Sequence, residues 1–257
     1  MHKPNDPLDL FDACAERVLR ERWHLAALEG VAPFLQACSA GLEFEALIYD
    51  PTLLRSSRAQ KLVRHKRAAG VPTRRVSPED FRRLSRAARA SGVAAVVRQR
   101  WRTLARVRVD RPWICLERIR SAGNLGTILR TLEAVDGGLI LLGPAVDPFA
   151  LDAVRASMGA LFHLDLVRTT LEELRAWARR TDTELVGTWP EGAARYDAPY
   201  ARRSVLLIGE ERRGLSPAAR EACARSVSIP IVGRGDSLNV GVACGVLVYE
   251  VLRQRQR

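Results

Sequence analysis

Six short apolar segments between residues 113 and 231 restrict the fold more than any other feature of the sequence. Helical patterns or polar loops separate these segments along the chain. Strands that are apolar along their whole length are buried on both faces, which is typical of a parallel sheet covered by helices. The sequence therefore predicts an α/β domain with a parallel sheet over residues 113–257. Its strand segments are WICLERI, GLILLG, LFHLDLV, ELVGTW, SVLLIG and SVSIPI.

Residues 1–100 show a separate alternation of patterns, which predicts a small α/β domain. Apolar spacing predicts one amphipathic helix over residues 8–28, and Ser77 predicts the capped start of a helix over residues 77–92. Residues 101–112 have no core pattern and are interpreted as a linker. The remaining predicted elements are helices at 31–38 and 58–70 and strands at 44–50, 71–76 and 93–99.

Positive charge is concentrated in one part of the chain. Residues 55–111 contain sixteen arginines and two lysines against three acidic residues, a net charge of +15, whereas the whole chain carries +12. A genome-wide bias toward arginine would also raise the charge, but it would not confine the excess to one stretch. The distribution therefore favours contact with a nucleic-acid phosphate backbone.

Cysteines and histidines form no pattern of a metal site or a disulfide framework. The five cysteines are scattered, odd in number and without a C-x-x-C spacing, and the four histidines are isolated. The sequence has no apolar run long enough to span a membrane and no signal-peptide pattern at its start. It therefore predicts a protein of the reduced cytoplasm that binds neither a metal nor a membrane.

The first of three candidate motifs is SAGNLGTILRTLEAVDG, at residues 121–137. A strand leads into a glycine-containing turn and a helix, a geometry that can bind an anion at the helix start. The turn has Gly123 and Gly126 only, so the dinucleotide fingerprint G-x-G-x-x-G is not matched. Asn124 is placed in the turn and Arg130 in the helix. Taken alone, they also fit an ordinary turn residue and a solvated cation.

The second motif is SVLLIGEERRGLS, at residues 204–216. Its apolar strand ends at Gly209, where a ligand or another backbone segment can come close. Open α/β sheets bind ligands at the carboxyl ends of their strands. A charged surface loop would explain Glu211 and its neighbours equally well, so this motif alone does not indicate a function.

The third motif is IPIVGRGDSLNVGVACGVLVYEVLR, at residues 229–253. A strand ends near Ile229, and a helix that begins near Leu238 is apolar nearly all round, which predicts burial on most sides. Ser237 fits the N-cap of this helix. Asn239 would then lie inside the first turn. Because a buried Asn needs hydrogen-bond partners, it is predicted to organise neighbouring backbone or a ligand.

In this order and at these spacings, the three motifs resemble those of the SpoU (TrmH) branch of the SPOUT RNA methyltransferases. The family motifs are N-x-G with an arginine four residues after the glycine, G-x-E-x-x-G after an apolar strand, and I-P followed by S-L-N-V. Each is weak alone, but together over residues 113–253 they are highly specific. The N-terminal segments also resemble the small ribosomal-protein-like domain of many such enzymes. The matching residues are Asn124, Gly126, Arg130, Gly209, Glu211, Gly214, Ile229, Pro230, Ser237, Leu238, Asn239 and Val240.

The resemblance implies a Rossmann-like parallel sheet whose C-terminal segment is threaded into a deep trefoil knot, which general topology rules would not suggest. It implies that the knot loops bind S-adenosylmethionine through backbone groups around Thr188, Gly209, Ile229 and Leu238. It also implies a homodimer with the last helix at the interface, which agrees with the apolar character of residues 238–252.

The implied reaction is methyl transfer to a ribose 2′-hydroxyl of RNA. By resemblance, Arg130 lies at the reacting hydroxyl. Because a free arginine stays protonated, it is assigned to binding the neighbouring phosphate and polarising the hydroxyl, with deprotonation left open. Asn124 would position the ribose or Arg130, and Ser237 would contact phosphate or the loop that holds it. Glu211 and Asn239 would keep the pocket in shape.

Two departures from the family pattern occur near these motifs. Ser121-Ala122 replaces a frequent Asp-Pro, and Gly241 occupies a position where serine or alanine is common. The polar motif residues are complete, so an active enzyme is expected. The N-terminal domain favours ribosomal RNA as the substrate, since tRNA-modifying relatives typically carry only short helical extensions. The alternatives are a tRNA ribose methyltransferase and an RNA-binding relative without catalysis.

Overall fold

A computed structural model describes residues 2–143, 147–210 and 212–256. The chain divides into two compact units. The first consists of the residues up to Arg100 together with Asp147–His163, and the second consists of the remainder from Trp101 onwards. Glu211, one of the predicted site residues, lies outside the described residues. No helix in the described ranges is long and apolar enough to cross a membrane.

The first unit is built on a small mixed sheet covered by helices. Up to Arg100 its elements are α1 (Pro7–Ala13), α2 (Arg17–Trp23), β1 (Leu25–Glu29), α3 (Val31–Ser39), β2 (Phe44–Tyr49), α4 (Ser57–Ala68), β3 (Thr73–Arg75), α5 (Pro78–Leu84) and β4 (Val93–Arg98). The strand order is β1-β4-β2-β3. Strand β4 is antiparallel to both β1 and β2, whereas β2 and β3 are parallel.

The predicted single helix over residues 8–28 is wrong. Two short helices occupy this segment, and the chain leaves the second one through His24 in the left-handed conformation, with φ of 53°. The following residues form β1, which pairs with β4 and is buried along its whole length. Pairing with a buried neighbour decides the conformation of Leu25–Glu29, because strand formation depends on the packing environment more than on local pattern.

The predicted helix over residues 77–92 is also shorter than expected. Its cap is confirmed, since the Ser77 hydroxyl accepts a hydrogen bond from the Asp80 N–H at 3.1 Å. The helix ends at Leu84, however, and an irregular segment continues to β4. The buried Glu29 carboxylate accepts hydrogen bonds from the Ser85 hydroxyl and the Arg86 N–H, which replace the helical pairing there.

The second unit is built on a larger sheet. The elements that follow β4 are β5 (Trp113–Glu117), α6 (Ala122–Ala134), β6 (Gly138–Leu142), α7 (Leu151–Ala156, which belongs to the first unit), β7 (Asp165–Thr169), α8 (Leu171–Arg180), β8 (Glu184–Thr188), β9 (Ala194–Arg195), β10 (Ser204–Ile208), α9 (Pro217–Ala222), β11 (Arg225–Ser228) and α10 (Val240–Arg255). The seven strands are all parallel, in the order β7-β6-β5-β10-β8-β11-β9. The predicted α/β class with a parallel sheet is confirmed.

Details of this sheet differ from the predicted segments. Strand β7 begins only at Asp165, because Ala160–Phe162 forms a 3-10 turn, and the short strand β9 has no counterpart in the prediction. In the segment interpreted as a linker, Val109 is buried in the core of the second unit and Arg102 pairs with Val167. Edge pairing and burial of single residues are decided by distant partners, so they leave little local pattern.

A buried ion pair lies inside the first unit. The side chains of Arg20 and Asp147 are 6% and 5% exposed, and their charged groups approach to 2.8 Å. Arg20 also donates hydrogen bonds to the carbonyl groups of Cys14 and Ala15. The guanidinium is thus held entirely by groups of the first unit, and it ties Asp147 to helix α2.

We expect Asp147→Ala to lower the free energy of unfolding by about 3 kcal/mol, because it leaves the buried Arg20 guanidinium without its counter-ion. Asp152→Ala is the matched control, since Asp152 pairs with Arg155 at the surface. Its expected effect is about 0.5 kcal/mol or less. Urea denaturation followed by fluorescence measures both values, and equal effects would contradict this account of the buried pair.

Candidate active site

A cavity of about 420 Å³ lies at the carboxyl ends of β8, β10 and β11. The loops that follow these strands and the first residues of α10 form its wall. Open parallel sheets bind ligands at this edge. The structure brings five of the predicted site residues into the lining of this one cavity, and these are Thr188, Gly209, Ile229, Ser237 and Leu238.

Glycine is required at both ends of the loop that follows β10. A Cβ atom at Gly209 would collide with the backbone of Gly214 and Leu215, and Gly214 has φ of 63°. Backbone hydrogen bonds between Glu210 and Gly214, at 3.2 and 2.8 Å, close the turn. The spacing G-x-E-x-x-G therefore has a local structural cause, because it lets two backbone segments meet at the cavity.

Trp189 is a cavity residue that the motif analysis missed. It directly follows Thr188 at the end of β8, and its ring lies over Gly187, where a Cβ atom would collide with it. The Arg220 guanidinium lies 5.0 Å from the centre of this ring. Thr188 itself donates its hydroxyl to the Leu207 carbonyl at 3.1 Å, so its side chain fixes the strand pair. The sequence signal that could have identified Trp189 is an aromatic residue at the end of an apolar strand.

Asn239 is the N-cap of α10, so its expected position inside the first turn is wrong. Its Oδ1 accepts hydrogen bonds from the N–H groups of Gly241 and Val242, at 2.9 and 3.4 Å. Its Nδ2 donates to Oδ1 of Asn124 at 3.0 Å. The side chain is exposed rather than buried, and Ser237, which was expected to be the cap, lies in the preceding exposed loop.

Asn124 also differs from its expected position, because it lies in the first turn of α6 instead of the preceding loop. Ser121 is the N-cap of this helix, and its hydroxyl accepts the Asn124 N–H at 3.2 Å. The starts of α6 and α10 approach closely, since a Cβ atom at Gly241 would lie 3.0 Å from Cγ2 of Thr127. The absence of a Cβ at Gly241 therefore helps the two asparagines to meet.

Arg130 is not brought into the cavity. It is exposed on α6, one helical turn beyond Thr127, and it does not occur among the described residues that line the cavity. The structure thus joins Asn124 to Asn239 directly and groups Ser237 with the four predicted cofactor residues, while Arg130 lies on the surface of the same helix as Asn124.

Charged side chains surround the cavity in an arrangement that the motifs did not predict. Arg212, Arg213 and Arg220 contribute to its lining and are exposed. Glu210 is 8% exposed and pairs with Arg120 at 3.2 Å, which links the loop after β10 to the loop after β5. The exposed cations at this edge make it suitable for binding an anionic ligand.

The raised pKa values of two thiols near this site disfavour a nucleophilic role for cysteine. Burial raises the pKa of Cys244 to about 12, and burial followed by the nearby Glu117 carboxylate raises the pKa of Cys223 to about 12. Both thiols are therefore protonated at neutral pH and are poor nucleophiles. In the part of the chain that the structure describes, no three His, Cys, Asp or Glu side chains cluster as metal ligands.

Two family profiles match this chain. The SpoU rRNA Methylase family matches residues 112–249, and the family described as RNA 2'-O ribose methyltransferase substrate binding matches residues 27–100. The chain belongs to the SpoU rRNA methylase family. Its three motifs and parallel sheet are thereby explained together, and the predicted family is confirmed.

Similar proteins cover nearly the whole chain. The 23S rRNA (uridine(2479)-2'-O)-methyltransferase of Streptomyces viridochromogenes is 36% identical over 237 residues, which cover 88% of this chain and 82% of that protein. The 23S rRNA (adenosine(1067)-2'-O)-methyltransferase of Streptomyces azureus is 29% identical over 256 residues, which cover 96% and 93%. The crystal structure of the SpoU methyltransferase AviRb from Streptomyces viridochromogenes, in complex with the cofactor AdoMet, has a TM-score of 0.84 at 32% identity and covers 97% of this chain and 98% of that chain.

We expect Asn239→Ala to lower the melting temperature, because α10 loses a cap worth about 1 kcal/mol. Asn239→Asp should keep the melting temperature near that of the wild type, since aspartate caps a helix as well as asparagine does. It cannot donate a hydrogen bond to Asn124, however. Scanning fluorimetry compares the variants, and an equal loss in both would show that the contact with Asn124, rather than the cap, provides the stability.

Proposed function

We propose that this protein transfers a methyl group from S-adenosylmethionine to a ribose 2′-hydroxyl of ribosomal RNA. The observation that carries the proposal is the common cavity of Thr188, Gly209, Ile229, Ser237 and Leu238, which come from loops distant in sequence. Membership of the SpoU rRNA methylase family and the relatives named for 23S rRNA support the same reaction.

The cavity residues fit the proposed cofactor. The loop ends at Gly209 and Ile229 offer peptide groups for hydrogen bonds, and Ile208, Leu238 and Leu247 provide apolar surface for a purine ring. Glycine at position 209 lets the backbone of Gly214 and Leu215 pack directly against this edge of the cavity. S-adenosylmethionine supplies a methyl group on a sulfonium, which is already activated for transfer to an oxygen nucleophile.

The protein then has to align the ribose hydroxyl and receive its proton. Asn239 and Asn124 hold each other at 3.0 Å, and this contact fixes the starts of α10 and α6 beside the cavity. We assign Ser237, whose hydroxyl is exposed at the cavity wall, to a phosphate contact. We assign Arg130 to the phosphate next to the reacting ribose, because its protonated guanidinium is suited to anions. Glu211 keeps its predicted supporting role.

Proton removal needs an acceptor other than a protonated arginine. The described carboxylates that line the cavity are Glu191, Glu210 and Asp236. Glu210 already pairs with Arg120, whereas Asp236 is exposed and precedes Ser237. Glu191 is exposed as well, and we assign the proton to Asp236 because it directly precedes Ser237, with transfer directly or through a water molecule.

Ribosomal RNA is favoured over transfer RNA as the substrate. The family profile for substrate binding falls on residues 27–100, within the first unit, and the relatives named above are 23S rRNA enzymes. Those two relatives are named for a uridine and an adenosine, so similarity to them does not indicate which base carries the modified ribose in the substrate of this protein. A tRNA substrate is the second candidate. With a ribosomal substrate, we propose that the reaction takes place in the cytoplasm. We also propose that the methyl-transfer step uses no metal.

A trefoil knot and a homodimer complete the proposal. The knot is proposed from the family and from the segment between β11 and α10, which borders the cavity before the last helix begins. The dimer is proposed from apolar side chains exposed in residues 231–249. Among the described residues, five of the seven large exposed hydrophobic side chains lie there, and these are Ile231, Val232, Leu238, Val242 and Tyr249.

Arg130→Ala should abolish methyl transfer to an unmodified 23S rRNA transcript while leaving the affinity for S-adenosylmethionine nearly unchanged, because Arg130 does not line the cavity. Calorimetry measures cofactor affinity and a tritiated-methyl assay measures transfer. Arg175→Ala, on the exposed face of α8, is the control and should keep full activity. No detectable cofactor binding by the wild type would remove the enzyme hypothesis, and a fully active Arg130 variant would refute the assigned role.

Tyr249→Asp should convert the proposed dimer to a monomer, because it places a charge within an apolar interface. Tyr249 is 53% exposed in the single chain, so the substitution should not disturb the fold of that chain. Light scattering after size exclusion measures the mass. Val18→Asp, at a residue 75% exposed in the first unit, is the matched control. A monomeric wild type, or an unchanged mass for Tyr249→Asp, would contradict the proposed interface.

A further inference from the structure

A second cavity, of about 730 Å³, lies within the first unit. The loop after β2 forms one wall, the irregular segment before β4 forms the other, and the start of α3 contributes the end. We call it the first-unit pocket and define it by six of its lining residues, which are Val31, Leu53, Arg55, Arg82, Arg89 and Ala90.

Buried carboxylates hold both walls of the first-unit pocket in place. Glu29, 5% exposed, accepts hydrogen bonds from the hydroxyl of Ser85 and, at 2.9 Å, from the N–H of Arg86. Asp50, 1% exposed, accepts a hydrogen bond from the Leu53 N–H at 2.6 Å. The walls are therefore preorganised by side chains beneath them, although neither wall is a helix or a strand.

The two walls meet at Gly92. This residue has φ of 77°, and a Cβ atom there would collide with the backbone of Leu53 and Leu54. Its carbonyl accepts the Asp50 N–H at 3.0 Å. The two walls are thus joined by a contact between two backbone segments.

Unpaired positive charge surrounds this space. Arg55, Arg82 and Arg89 are exposed lining residues, and no described residue forms an ion pair with any of them. The neighbouring Arg83, in contrast, pairs with Glu79 at 2.6 Å and does not line the pocket. The first-unit pocket therefore combines three available guanidinium groups, which are the preferred partners of phosphate oxygens.

The rest of the lining combines apolar side chains, with Val31, Leu53 and Ala90 among them, and three serines, which are Ser56, Ser85 and Ser91. A duplex presents mainly phosphates to a protein, whereas an unpaired nucleotide presents both a base and its phosphates. A concave surface with apolar side chains, hydroxyl groups and a cationic rim matches the second form, because a base has apolar faces and polar edges. Arginine planes can also stack on an exposed base.

We propose that the first-unit pocket binds one unpaired nucleotide of the substrate RNA, with its base against Val31, Leu53 and Ala90 and its flanking phosphates at Arg55, Arg82 and Arg89. The identity of the ligand as RNA rests on the proposed function. The contact is additional to those with the methylated ribose, so it selects an RNA by an unpaired nucleotide other than the one that is methylated.

The adjacent pair Arg82 and Arg83 gives a matched test in the full-length protein. Binding of an unmodified 23S rRNA transcript is measured by filter retention over a range of salt concentrations. Arg82→Ala should weaken binding about tenfold and make the salt dependence less steep, because one phosphate contact is lost. Arg83→Ala removes the same charge from the same helix outside the pocket, and should change affinity less than about twofold. Equal losses in the two variants would overturn the proposal, since they would reflect net charge alone.

Photocrosslinking identifies the nucleotide that is bound. The transcript is made with 4-thiouridine, irradiated with the wild-type protein, and the adducts are mapped on both molecules. Adducts should fall in residues 53–56 or 82–91 and at unpaired uridines, and they should disappear with Arg55→Ala combined with Arg82→Ala. Adducts confined to other peptides, or to paired nucleotides, would overturn the proposal.

Different measurements distinguish an error in the proposed reaction from an error in the proposed nucleotide pocket. A protein without cofactor binding or methyl transfer that still gives these adducts would refute the proposed function and retain the pocket. An active enzyme with equal affinities for Arg82→Ala, Arg83→Ala and wild type would retain the reaction and refute the pocket. Melting temperatures of the variants, which should match that of the wild type because all these side chains are exposed, show that folding is intact.

Discussion

The parallel alignment of seven strands is the constraint on which the candidate active site depends. Because all carboxyl ends lie at one edge, loops that are far apart in sequence meet there, and three of them enclose the 420 Å³ cavity. Strand β10 lies between β5 and β8, so the loop after it is flanked by both neighbours. The hydrogen bond from Asn239 to Asn124 and the ion pair of Arg120 with Glu210 then link the surrounding segments to one another.

We propose that the first compact unit selects the RNA and that the second carries out the reaction. The second unit supplies backbone-lined space for a cofactor and polar groups for a ribose and its phosphate. The first unit contributes much of the concentrated positive charge, and three of its arginines have no described counter-ion and surround one preorganised pocket. In this arrangement affinity for the phosphate backbone and discrimination by an unpaired base come from the same surface, while the reaction itself is catalysed by the second unit.

Much of the fold was predictable, and the errors have physical causes. Most of the apolar strand segments and the cap at Ser77 were correct, since apolar runs and capping residues are local signals. Residues 25–29 were expected to be helical, but pairing with β4 decides their conformation. Five of the site residues predicted from the motif resemblance line one cavity, and their roles stay predictions. Trp189 and the pair of Arg120 with Glu210 were missed, because they meet only after distant strands have aligned.

The sequence by itself determined the class of fold, the family and the types of side chain available for the reaction, because strand periodicity, glycine positions and motif spacing are properties of neighbouring residues. Only the tertiary structure decided that Asn239 caps α10 and reaches Asn124, while Ser237 remains an exposed loop residue at the cavity. It also decided that residues 85–91 leave the helix to form a pocket wall, because the buried Glu29 carboxylate bonds to them more favourably than a further helical turn would. The contact of Asn239 with Asn124 and the bonds of Glu29 to the pocket wall both join partners at least 50 positions apart, which no local pattern encodes.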